Sequence, residues 1–122
     1  GTPEDIINAN AQILENISKD KFVSDEGTEV DSDCSIIMPS TIGKNCKIKK
    51  NVIIGPYASI GDNTIISSNV KIENSIIMSD CKIEDGLKIN NSIISSNCHL
   101  EGNNRDDSEK LFLLGEGTRI SL

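Results

Sequence analysis

Ile54-Gly-Pro-Tyr-Ala-Ser-Ile60-Gly-Asp-Asn-Thr-Ile-Ile66 places an isoleucine at every sixth position. The interval runs without a slip from Ile36 through Ile42, Ile48, Ile54, Ile60 and Ile66 to Ile72. A helix brings apolar residues to one face every three to four positions and a strand every two, so a strict six describes neither as a whole element. It describes a short turn of backbone that repeats. Two residues before each isoleucine stand Cys34, Ser40, Cys46, Val52, Ala58, Thr64 and Val70, all small or β-branched. Residues two apart on a strand share a face, so each hexad sends one large and one small side chain inward.

Three residues before each isoleucine the chain reads Asp33, Pro39, Asn45, Asn51, Tyr57, Asn63 and Asn69, rich in types that tolerate turn or left-handed geometry. Gly43, Gly55 and Gly61 follow the isoleucines and complete the Ile-Gly-x-x-small-x hexad of a parallel β-helix. Three hexads make one triangular coil. Past Ile72 the inward series continues as Ile77, Ile83, Ile89, Ile94 and Leu100, spacings of five and six that combine into a period of 17. Lys71-Ile-Glu-Asn-Ser-Ile-Ile realigns accordingly with Lys88-Ile-Asn-Asn-Ser-Ile-Ile. One face of each later coil is therefore a residue shorter. From Cys34 to Leu100 the ladder makes roughly four coils, a prism about 20 Å long at about 4.8 Å per stacked strand.

At 122 residues the chain makes one domain. Asp and Glu outnumber Lys and Arg 19 to 12, giving a net charge of −7 that works against nucleic acid or an anionic membrane as partner. No apolar run approaches the length of a spanning helix and no targeting segment opens the chain, so a soluble, cytoplasmic protein is expected. Cys34, Cys46, Cys81 and Cys98 all fall on the small inward position, at spacings of 12, 35 and 17, with a single His in the sequence. That pattern predicts buried free thiols and no zinc site.

Residues 1–20 differ from the rest. Thr2 is suited to the N-cap, Pro3 to the first helical turn and Asp5 to the acid of a capping box. Ile6, Ile13, Leu14 and Ile17 make an apolar stripe at helical spacing, which predicts a helix from about Pro3 to Ser18. Such a helix can cap the open end of the coils, connect to an upstream domain, or both. Residues 21–122 are then the β-helix, interrupted by a polar loop at about 101–110 before Leu111 brings the chain back.

Gly1-Thr-Pro-Glu-Asp-Ile-Ile-Asn-Ala-Asn resembles the segment Gly-x-Pro-Glu-Asp-Leu-Leu-x-Ala-Asn with which sugar-1-phosphate nucleotidyltransferases leave their catalytic domain. Ile54-Gly-Pro-Tyr-Ala-Ser-Ile-Gly-Asp-Asn, the Glu73-Asn-Ser-Ile-Ile-Met coil and the ending Leu111-Phe-Leu-Leu-Gly-Glu-Gly-Thr-Arg-Ile-Ser-Leu resemble the C-terminal left-handed β-helix of the long-form glucose-1-phosphate thymidylyltransferases. Mannose-1-phosphate guanylyltransferases and the γ and ε subunits of a eukaryotic translation-factor exchange complex have similar tails. The resemblance implies an all-β fold, a single-stranded left-handed parallel β-helix with a short N-terminal α-helix. It supplies the handedness, since sequence argument alone favours right-handed crossovers. It also implies an assembly role: a homo-oligomer, a trimer by the habit of such domains, attached to an upstream catalytic domain that makes dTDP-glucose from glucose 1-phosphate and dTTP with Mg²⁺. That domain is absent from this sequence, so the chain by itself is not expected to be catalytic or to hold a cofactor or metal.

Two motifs tempt a chemical reading. Gly115-Glu-Gly-Thr-Arg119 resembles the family's nucleotide loop, but only Ile120, Ser121 and Leu122 follow it, and a phosphate loop must open a helix. Phe112 with Leu114 and Thr118 with Ile120 instead restore inward pairs, which predicts terminal strands. The second motif is that of β-helical acetyltransferases, which use a general-base His in a His-x-Gly-x-aromatic hexad and acetyl-CoA as donor. Ile53, Gly55 and Tyr57 occupy those positions, with no imidazole. His99 is the remaining catalytic candidate; it precedes inward Leu100 and should face outward, yet Glu101 stands where the Gly is needed and Asn103 where the aromatic is. The lysines at 44, 47, 49, 50 and 71 fall on outward or corner positions and predict a solvated face. Tyr57 is expected to pack a corner against a loop or a neighbouring chain.

Overall fold

The structure, a computed structural model, describes residues 1–17 and 22–102, and three further strands at 109–110, 113–114 and 119–121. Among the described residues a single helix is followed by short strands that wind into three parallel sheets, each strand after the first three lying directly on one from the preceding coil. The first sheet stacks β1 (Glu29–Val30), β4 (Lys47–Ile48), β7 (Ile65–Ile66), β10 (Lys82–Ile83), β13 (His99–Glu101) and β16 (Arg119–Ser121). The second stacks β2 (Ser35–Ile36), β5 (Ile53–Ile54), β8 (Lys71–Glu73), β11 (Lys88–Asn90) and β14 (Glu109–Lys110), and the third β3 (Ser40–Ile42), β6 (Ala58–Ile60), β9 (Ile76–Ile77), β12 (Ile93–Ile94) and β15 (Leu113–Leu114). This is the left-handed parallel β-helix that the hexads and the resemblance imply.

Register follows the isoleucines. Ile36 pairs with Ile54 and Ile54 with Ile72, 18 residues apart, whereas Ile72 pairs with Ile89 and Ile83 with Leu100, 17 apart. The missing residue lies at one corner: Gly55-Pro56-Tyr57 between β5 and Ala58 becomes Glu73-Asn74 between Ile72 and Ser75. The corners that the sequence marks with Asn are left-handed, with φ between 46° and 63° at Asn45, Asn51, Asn63, Asn69, Asn74, Asn91 and Asn97. Asparagine accepts that conformation at less cost than most residues, and stacking satisfies its amide. The Asn51 amide, for example, donates to Asn69 Oδ1 at 2.8 Å.

The inward large side chains from Ile42 to Leu100 are buried and form one continuous core. Their small companions carry a second duty. Buried Ser40, Thr64 and Ser75 accept hydrogen bonds from the backbone N–H of Ala58, Cys81 and Ser92 in the next coil, at 3.0–3.3 Å. Each hydroxyl thus ties one coil to the next, and among the described residues no buried side-chain nitrogen or oxygen lacks a partner.

The thiols are free, but not all equally buried: Cys46, Cys81 and Cys98 lie inside and Cys34 is half-buried. The reason is positional. β2 is the last strand of its sheet, so among the described residues no strand stacks beyond Ile36 and the neighbouring Cys34. Burial pushes the thiols of Cys46 and Cys81 above the ordinary thiol value. A raised folded-state value contributes stability that is present below the ordinary value and lost as pH rises through the raised one. Stability should therefore decline above about pH 8.5, and denaturant midpoints in the Cys46→Ala/Cys81→Ala double variant should decline less across the same range. Equal slopes in the two proteins would refute this assignment.

The helix α1 (Pro3–Glu15) opens with the expected capping box, Thr2 and Asp5 bonding each other's backbone N–H at 3.0 and 3.2 Å. It ends earlier than expected. Asn16 takes a non-helical C-cap conformation and its side-chain amide donates to the Gln12 carbonyl at 2.8 Å; Ser18 lies outside the described residues. The expected stripe also divides: Ile7 and Leu14 are buried, while Ile6 and Ile13 are 49% and 60% exposed. Nor does α1 close the open end of the coils. Ser59 Oγ donates to Asn10 Oδ1 at 2.8 Å and Tyr57 Oη donates to Glu15, which sets the helix against the outside of the prism beside β6. The end of the third sheet is covered by residues 22–24, which bond to both backbone groups of Ile42. Tyr57 therefore packs against the chain's own helix.

Of the expected polar loop, residues 103–108 lie outside the described residues, and Glu109–Lys110 is already a strand paired with Lys88–Ile89. The chain thus rejoins the sheet before Leu111.

Candidate functional site

A parallel ladder aligns outward residues of successive coils as strictly as it aligns inward ones. On the first sheet, Lys82 of β10 stands beside His99 of β13, and Ile83 beside Leu100. One residue further along, Glu84 and Glu101 are neighbours on the outer face. His99 faces outward, as expected for the residue before an inward leucine, and its side chain is 25% exposed. Its Nε2–H donates to Glu84 Oε2 at 2.7 Å, and Glu101 Oε1 lies 3.7 Å from the same nitrogen. The His99 hydrogen bond, reinforced by the Lys82 charge, holds the Glu84 carboxyl below the usual carboxylate range against the opposing effect of partial burial.

This arrangement gives no support to His99 as the base of an acetyltransferase. Its Nε2 is already engaged by the Glu84 carboxylate, and the adjoining hollow of about 440 Å³, lined by Asn63, Ile65, Asp80, Cys81, Lys82, Asn97 and Cys98 beside His99, has neither the Gly nor the aromatic of the acetyltransferase hexad next to the imidazole. Ile53, in the position where such enzymes carry His, is a half-buried outward side chain of β5. Residues 115–118 of the Gly-Glu-Gly-Thr-Arg motif lie outside the described residues, but Arg119–Ser121 is strand β16, with Ile120 in register with Leu100. The motif therefore ends in a ladder strand, where a phosphate loop would open a helix.

The carboxylate pair around His99 was legible only through the coil period. Glu84 and Glu101 are separated by 17 residues, the spacing that brings outward positions together in this half of the chain. Elsewhere the outer face is ordinary: Lys44, Lys47, Lys49 and Lys50 are exposed and Lys71 is half-exposed, with Lys44 paired to Glu26 at 3.3 Å and Lys71 to Glu73 at 3.8 Å. Among the described residues no helix is long and apolar enough to cross a membrane.

A prism of stacked parallel strands around a packed interior defines the class of left-handed β-helical domains. Residues 36–121, well over half of the sequence, match the family model described as the GMPPB C-terminal domain, and the chain belongs to that family, the C-terminal domains of sugar-1-phosphate nucleotidyltransferases. It is 42% identical over 53 residues to a probable mannose-1-phosphate guanyltransferase of Schizosaccharomyces pombe, covering 43% of this chain and 13% of that protein. It is 40% identical over 57 residues to the bifunctional protein GlmU of Ruthia magnifica, covering 38% of this chain and 13% of that one. The matched stretch is thus a small part of each relative's length.

Proposed function

We propose that this chain is the assembly domain of a sugar-1-phosphate nucleotidyltransferase, associating as a homotrimer and so fixing the positions of the catalytic domains attached to it. The observation that carries this reading is the divided apolar character of α1. Ile7 and Leu14 are buried within the chain, whereas Ile6 and Ile13 are left exposed, and Ile13 lines a shallow hollow of about 490 Å³ with Ala9, Gln12, Asn16 and Ile17. An apolar stripe that the chain does not cover suits contact with further copies. Free thiols support a reducing, cytoplasmic setting.

The parent reaction we propose is nucleotidyl transfer to a sugar 1-phosphate with Mg²⁺ at the catalytic domain. The opening Gly-Thr-Pro-Glu-Asp segment and the terminal strands support glucose 1-phosphate with dTTP. The family match and the yeast relative support mannose 1-phosphate with GTP. Pyrophosphate release by the full-length enzyme with each pair decides between them, and release of CoA from acetyl-CoA with an amino-sugar phosphate would overturn both. For assembly, native mass spectrometry of the 13.2 kDa chain at micromolar concentration should give three copies, reduced to one by Ile13→Asp. A monomeric parent chain would overturn the assembly role.

A further inference from the structure

Glu84 and Glu101 stand side by side on neighbouring strands, and like charges so placed repel unless something positive lies between them. Lys82 meets only part of that need: its Nζ is 3.6 Å from Glu84 Oε1, on the carboxylate oxygen turned away from His99. The remaining oxygen of Glu84, the His99 Nε2 and a Glu101 oxygen converge, with all three atoms within 4.8 Å of one another. Two donors bound about 2.1 Å from a tetrahedral ion lie about 3.4 Å apart. The contacts here, 2.7 Å between His99 and Glu84 and 3.7 Å between His99 and Glu101, bracket that value.

We propose that Glu84, His99 and Glu101 form a binding site for a divalent transition-metal ion, with zinc the best match to one imidazole and two carboxylates. The donor set fits borderline metals that accept nitrogen and oxygen together. Two carboxylates neutralise a divalent ion, and Lys82 keeps its partner in the outer oxygen of Glu84. Binding replaces the proton shared between His99 and Glu84, since the imidazole must offer a lone pair to the metal. The supporting strands β10 and β13 are hydrogen-bonded neighbours, so the ligands are positioned by the ladder before any ion arrives. Three protein ligands leave the fourth position to water. The ion would clasp two successive coils on the outer face of the first sheet.

The test uses the complete chain after treatment with a chelator. Zinc titrated by calorimetry should bind at one ion per chain, and Co²⁺ should give a spectrum without a thiolate charge-transfer band. His99→Gln and Glu101→Gln should each weaken binding at least about tenfold, while Cys34→Ser, which removes the most accessible thiol, leaves it unchanged. The proposal is overturned by the absence of saturable zinc binding, or by binding that survives His99→Gln. It is overturned equally if binding disappears in Cys34→Ser, which would assign the ion to the thiol. Because these readouts are independent of nucleotidyl transfer and of oligomeric state, they stand apart from the assembly reading.

Discussion

Ile72→Ala is expected to lower the stability of the chain by about 3–4 kcal/mol, within the span measured for buried aliphatic residues cut back to alanine. Ile72 is fully buried in β8, with Ile54 on one side of it in the ladder and Ile89 on the other. Both neighbours belong to rigid hydrogen-bonded strands, so the surroundings cannot collapse into the space and most of the cavity persists. Ile36 provides the internal comparison. It occupies the same series but the last strand of its sheet, where it is only half-buried, and Ile36→Ala should cost much less. Guanidinium denaturation of the two variants measures the difference. Equal losses would mean that burial along the ladder does not set the contribution of each rung.

Gly55→Ala is the second large effect, expected to cost about 2–5 kcal/mol from backbone strain and overpacking together. Gly55 has φ +100°, outside the region that L side chains occupy comfortably. An added Cβ would also lie inside contact distance of the Ile37 carbonyl oxygen and 2.9 Å from its carbon, atoms of the preceding coil that cannot rotate away. The Gly55 N–H donates to Ile72 O at 2.7 Å, so relieving the clash by moving this segment stretches the ladder on its other side. Thermal unfolding should register the loss as a drop of many degrees. An unchanged midpoint would show that the corner is soft.

Much of this architecture is written in the intervals between isoleucines. The step from 18 to 17 residues per coil, the stacking of Leu87 and Cys98 into the interior and the left-handed asparagine corners all follow from counting, because a ladder repeats the same constraint at every rung. Placement of α1 does not. Its attachment rests on single polar pairs, Asn10 with Ser59 and Glu15 with Tyr57, and pairs 49 and 42 residues apart leave no periodic trace. The same absence of repetition hid which isoleucines of the helix face inward: Ile6 and Ile7 are adjacent, and the helical spacing fits either one. Glu84 and Glu101 form an intermediate case. Their meeting is fixed by the coil period, but their chemistry depends on His99, whose outward direction alone carried no partner. Tyr57 shows a local rule overridden by tertiary contact. It adopts φ 61° at a corner where asparagine is the usual choice, and its phenol provides the link to the helix that asparagine is too short to make.

The three-residue corner at Gly55-Pro56-Tyr57 and its two-residue successor at Glu73-Asn74 also set the rule by which this prism can change length. Removing residues 49–66 would join Ile48 to Ser67, which follows Ile66 as Lys49 follows Ile48, and the shortened chain would resume the same path one rung lower, by about 4.8 Å. Removing a single hexad would instead turn everything beyond the cut by a third of a revolution about the axis, because three faces complete each coil. Whole coils are therefore the quantum of change. A domain attached at one end could be moved nearer or farther along the axis by such steps without altering the direction in which it is presented.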